Sequence, residues 1–133
     1  MNPKLVNPPA LGKPVGFTHG VQAGNLLFIA GQIGAEPHGE GLRVVSPDFA
    51  PQFDAALGNV LEVVHAAGGK ASSVVEMTLF VTDLEAYRAA RGALGEAWKR
   101  RMGRHYPAVT LVEVSGLLEP GALVEIRAVA ALE

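Results

Sequence analysis

The sequence predicts an α+β two-layer fold in the order β-β-α-β-α-β-β, with two helices on one face of one mixed sheet. Three observations carry this. Apolar residues recur at three- and four-residue spacing in two segments, residues 51–67 and 84–102. Runs rich in Val, Ile, Thr and Phe lie before, between and after them, as strands would. The 133 residues show no break in composition, so one domain spanning 1–133 is expected, domains commonly holding about 100–150 residues.

Each element has a local cause. Residues 1–16 are rich in Pro and Gly (Pro3, Pro8 and Pro9 among them) and read as an extended N-terminal arm. Residues 17–23 and 26–33 are β-prone and are separated by Gly24-Asn25, a hairpin signal in which Gly24 can take positive φ. Residues 34–47 carry Gly, Pro and charge without periodicity and read as a loop, with room for a short edge strand over 42–45.

In the first helix Phe53, Ala56, Leu57, Val60, Val64 and Ala67 form the apolar stripe. Asp48 or Ser46 is placed to cap it and Gly68-Gly69 to stop it. Residues 73–82 read as a strand, followed by Asp83 as N-cap of a second helix. That helix carries Leu84, Tyr87, Leu94, Trp98 and Met102 on one stripe and ends at Gly103. Two final strands, 108–114 and 122–131, are joined across residues 116–121. In the last, Val124, Ile126 and Ala128 face one way and Glu125 and Arg127 the other. Two helices leave the far face of such a sheet uncovered, which predicts association through that face.

Composition excludes several function classes. The net charge of −2 gives no field to attract a polyanion, so nucleic acid is not the expected partner. The one basic cluster, Lys99, Arg100, Arg101 and Arg104, closes a helix, where cations complement the dipole. With no cysteine there is no disulfide, thiol nucleophile or thiolate metal site. No 18-residue apolar run and no basic-then-apolar leader appear, so a cytoplasmic protein with no membrane contact is expected. Hydrophobic residues make up 49%, which fits either an Ala-rich core or surface buried between subunits.

Ordinary catalytic motifs are absent: no GxGxxG, P-loop or GxSxG elbow. His19, His38, His65 and His105 lack metal spacing such as HExxH, and no metal is expected. Gly31-Gln32 ends a strand and marks either a bulge or the close approach of a ligand. Gln52 can cap or bridge loops, and Asn59 can bond backbone at the seam between helix and sheet. Glu125 has two readings. It is satisfied by Arg127 on the same face, or it faces a cleft where partial burial raises its pKa and suits it to proton transfer.

Four segments together resemble the YjgF/RidA family: GNLLFIAGQIG (24–34), QFDAALGNVLEVVHAAGG (52–69), VVEMTLFVTDLEAY (74–87) and YPAVTLVEV…LVEIRAVA (106–130). The resemblance implies a chorismate-mutase-like subunit assembling as a homotrimer with clefts between neighbours. It implies imine and enamine deaminase chemistry, in which 2-aminoacrylate and related 2-imino acids are hydrolysed to 2-keto acids and ammonia without cofactor or metal. The family's water-positioning glutamate falls on Glu125, and the glycine whose backbone approaches the ligand falls on Gly31. A tyrosine framing the cleft falls on Phe17, one hydroxyl fewer. The arginine that clamps the substrate carboxylate falls on Val109, which cannot make a bidentate contact. Of the arginines that could substitute, Arg127 shares a face with Glu125, while Arg43 and Arg104 would have to swing in.

The expected function is therefore a RidA-like hydrolase or deaminase of small imine or enamine metabolites, acting without a cofactor on a substrate lacking the usual carboxylate contact. The alternatives are a non-catalytic small-molecule-binding or chaperone-like trimer and, further off, an RNA-acting translation inhibitor or endoribonuclease.

Overall fold

The structure, a computed structural model, describes residues 2–133; Met1, the first residue of the segment read as an arm, lies outside them. Strands β1 (Lys4–Val6), β2 (Gly20–Ala23), β3 (Leu26–Ile33), β6 (Val74–Val81), β7 (Ala108–Glu113) and β8 (Val124–Ala131) form one sheet in the order β1-β2-β3-β8-β6-β7. All neighbours are antiparallel except β6 and β7, which makes the sheet mixed, as expected. Helices α1 (Phe49–Ala66), α2 (Leu84–Ala89) and α3 (Arg91–Met102) lie over one face.

Three features add to the sequence reading. The arm contributes β1, an edge strand on β2. The segment read as a loop is a two-stranded ribbon, β4 (Ala35–His38) on β5 (Gly41–Val44). The second helix is broken at Ala90 (φ −95°, ψ 4°), just ahead of Gly92, into α2 and α3. The β2–β3 turn is as expected, with Gly24 at φ 63°. Asp83 caps α2 by accepting from the amides of Glu85 (2.9 Å) and Ala86 (3.3 Å). At α1 the N-cap residue is Asp48, but its side chain makes no capping bond; Ser46 Oγ accepts the Asp48 amide instead.

The core lies between the helices and the sheet. Ala56, Leu57, Val60 and Val64 of α1 pack on Leu27, Met77, Ile126 and Ala130, all essentially excluded from solvent. Gln52, fully buried, ties two loops together. Its Nε2 donates to the carbonyls of Ser46 (2.8 Å) and Gly121 (2.9 Å), and its Oε1 accepts the Leu123 amide (2.8 Å). Asn59 donates to the carbonyls of Ile33 (3.1 Å) and Ala35 (2.9 Å), joining α1 to the exit of β3. Both amides do the backbone work expected of them. Arg101 and Arg100 bind Asp54, so half of the basic cluster docks α3 on α1.

Among the described residues no helix covers the opposite sheet face. Registry places Leu5, Val21, Phe28 and Val129 in one row across it, and Leu5 and Phe28 are exposed. Strand β7 is exposed along nearly its whole length.

Candidate active site

The site is built around a break in the β3–β8 ladder. Ile29 pairs with Ala128 and Gln32 with Ile126, so Ala30 and Gly31 stand together opposite Arg127. This is a β-bulge, two residues against one. It turns the bare Cα of Gly31 toward Glu125, where a Cβ would come within 2.7 Å of the Glu125 carboxyl carbon. Glu125 is half-buried, and loss of solvent alone pushes its pKa above the ordinary carboxylate value. No charge or hydrogen bond contributes to that shift. The carboxylate is thus held as a stronger base than a surface glutamate.

Behind the bulge sit His19 and Gln32, both buried. Gln32 Nε2 donates to the Ala30 carbonyl (3.2 Å) and lies 3.2 Å from His19 Nδ1. The carbonyl fixes the amide's orientation, so Nδ1 accepts and the ring proton sits on Nε2. Among the described residues Nε2 finds no hydrogen-bond partner. Burial lowers the His19 pKa, with the Gly12 backbone opposing, which favours the neutral ring. His19 also accepts the Ala30 amide through its own carbonyl (2.8 Å). The pair pins the bulge from behind. Phe17 meets the His19 ring edge-to-face at 5.1 Å and lines, with Gly31, a cavity of about 70 Å³.

Arg127 does not satisfy Glu125. Its guanidinium lies 3.7 Å from Glu76, diagonally across the β6–β8 ladder. Residues two apart on a strand share a face but sit about 7 Å apart along it, so a cross-strand acid is the nearer partner. Arg43 is held by Glu36 on the ribbon.

Val109 is elsewhere. It pairs with Met77, which pairs with Ala128, in a row facing the helices. The row of Glu125 runs through Phe80 to Val112, three positions further on and therefore on the other face. Val109 lines an apolar groove of about 330 Å³ between β7 and the helices, with Tyr87, Arg91, Leu94 and Trp98. A single chain brings Phe17, Gly31, Glu125 and Arg127 to one region and Val109 to another. The sequence reading missed His19 as a support of the bulge and Arg91 as a neighbour of Val109. Neither has a local signal, because each is defined by a strand or helix distant in sequence.

The sequence profile described as Endoribonuclease L-PSP matches residues 9–132. The chain belongs to the YjgF/RidA family. This YjgF/RidA chain is 37% identical over 125 residues to the 2-iminobutanoate/2-iminopropanoate deaminase of Escherichia coli K12, covering 93% of this chain and 91% of that protein. It is 34% identical over 120 residues to a RutC family protein of Pyrococcus horikoshii, covering 89% of each. The crystal structure of the E. coli YjgF gene product matches with a TM-score of 0.82 and 30% identity over 98% of this chain and 99% of that one. E. coli TdcF with bound serine matches with a TM-score of 0.82 and 27% identity, over 98% of this chain and 99% of that one. The mixed α+β fold is that of these RidA-like relatives.

Proposed function

We propose that the chain hydrolyses small imine or enamine metabolites, with Glu125 positioning and deprotonating the attacking water. The observation that carries this is the desolvated Glu125 carboxylate set against the bulge at Gly31. Water adds across the C=N bond, Glu125 taking its proton and returning it to the nitrogen to give a carbinolamine. Glu125 then carries the hydroxyl proton to the amine as the C–N bond breaks, leaving a carbonyl and ammonia. The Gly31 backbone, free of a side chain, lets the ligand approach, and Phe17 frames the entrance. No cofactor enters this scheme. The relatives named as imine deaminases support the same chemistry.

The working unit in this reading is a cytoplasmic homotrimer with its clefts between subunits. Its support is the helix-free sheet face, the exposed β7 and the separation of Val109 from Glu125 within one chain. The cleft wall at Val109 is apolar, so 2-aminoacrylate is a poor substrate. The test is imine hydrolysis by the purified protein, with 2-aminoacrylate generated by a threonine dehydratase and larger imines by an amino-acid oxidase. We expect slow turnover of 2-aminoacrylate and a gain for Val109→Arg. Fast wild-type turnover of 2-aminoacrylate would contradict the role given to Val109. A non-catalytic binding trimer is the second reading, favoured by the loss of polar groups at 17 and 109; ligand stabilisation without turnover would support it.

A further inference from the structure

We propose that Arg91 is the anion clamp of this chain, so that the groove over Val109 takes a carboxylate with a large apolar body. The groove holds about 330 Å³, far more than a three-carbon acid fills, and its walls include Leu94, Trp98, Val109 and Leu111. Among the described residues Arg91 is the one charged residue in that lining. It opens α3 directly after the break at Ala90, across the groove from β7.

Five other arginines are engaged: Arg88 with Glu85, Arg100 and Arg101 with Asp54, Arg43 with Glu36, Arg127 with Glu76. Arg104 forms no ion pair among the described residues but does not line the groove. Among the described residues Arg91 makes no ion pair. A guanidinium offers a carboxylate a charge-assisted, two-pronged contact, and the apolar wall beside it adds no competing polar group. Valine is tolerated at 109 because the cation arrives from the helix side of the groove rather than from the strand. The apolar wall then packs the rest of the ligand.

The inference rests on the imine-hydrolase reading for the identity of its ligand: 2-imino acids with branched or aromatic side chains, and the 2-oxo acids they yield. In the trimer of that reading, the water positioned by Glu125 of the neighbouring subunit meets the C=N carbon while Arg91 holds the acid.

The test is calorimetric binding of 4-methyl-2-oxopentanoate and of its neutral amide to the purified full chain, wild type, Arg91→Gln and Arg88→Gln. The acid is expected to bind wild type at least tenfold more tightly than the amide. Arg91→Gln should weaken the acid about tenfold or more, the scale of a lost hydrogen bond to a charged group, and leave the amide unchanged. Arg88→Gln should match wild type. Arg91 is exposed, so the variant is expected to fold, and its unfolding midpoint checks this. Equal binding of acid and amide to wild type, or undiminished acid binding by Arg91→Gln, would overturn the clamp. Loss of acid binding in Arg91→Gln with no imine turnover by wild type would keep the clamp and discard the hydrolase. Turnover with undiminished acid binding by Arg91→Gln would do the reverse.

Discussion

Gly31 and Glu125 are fitted to one another. The bulge in β3 presents a Cα without a side chain to the carboxylate, and a methyl there would stand 2.7 Å from Glu125 Cδ and 2.9 Å from Cγ. Carbon atoms pack at about 3.5–4.0 Å, so the two cannot coexist unmoved.

Gly31→Ala should therefore push the Glu125 carboxylate toward solvent. We expect its pKa to fall back toward the ordinary glutamate value, read by carboxyl-carbon NMR titration, and hydrolysis to drop at least tenfold. A Glu125 titration identical to wild type would contradict the fitted relationship.

Glu125→Gln should stabilise the protein at neutral pH while removing activity. The sign follows from burial. The folded-state pKa is raised, so the favourable protonated form is present below the unfolded value of about 4.3 and its benefit is lost as pH rises through the folded value. Thermal unfolding of the two proteins should diverge in favour of the variant from acid to neutral pH. A less stable variant at neutral pH would contradict this.

His19 works in the opposite sense. Its pKa is lowered by burial, so the unfolded chain binds a proton that the folded chain refuses once pH falls below about 6.5. Wild type should lose stability over that acid window, and His19→Asn, which keeps an acceptor near the place of Nδ1, should lose less. Parallel stability curves for the two would show that His19 does not set the slope.

Gln52→Leu leaves the Leu123 amide and the carbonyls of Ser46 and Gly121, all part-buried, without the partner that Gln52 supplies. An unpaired buried group costs about 1–3 kcal/mol and these three are part-buried, so chemical denaturation should show a loss of about 2–3 kcal/mol. A loss under about 1 kcal/mol would mean that water replaces the amide at those groups.

What was legible in the sequence was local. Strand β8 alternates apolar with charged residues, so the faces of Ile126 and Glu125 could be read directly, and an amide set in a helical stripe pointed to backbone bonds for Gln52 and Asn59. The partner of Arg127 could not be read, because Glu76 reaches it only across the β6–β8 ladder. Val109 was assigned beside Glu125 by resemblance. Its place depends on β6 lying between β8 and β7 and on the parallel β6–β7 register, both set by contacts far apart in the chain. The break at Ala90, which sets Arg91 at the groove, was hidden by an apolar stripe that runs through it.

The most direct measurement is the initial rate of imine hydrolysis by wild type and Glu125→Gln, side by side, with imines made by an amino-acid oxidase from leucine or phenylalanine. We predict wild-type acceleration over the uncatalysed reaction and a fall of about a hundredfold or more in the variant, the scale of a lost general base. A Glu125→Gln protein as fast as wild type would contradict the assignment of Glu125 as the group that activates water.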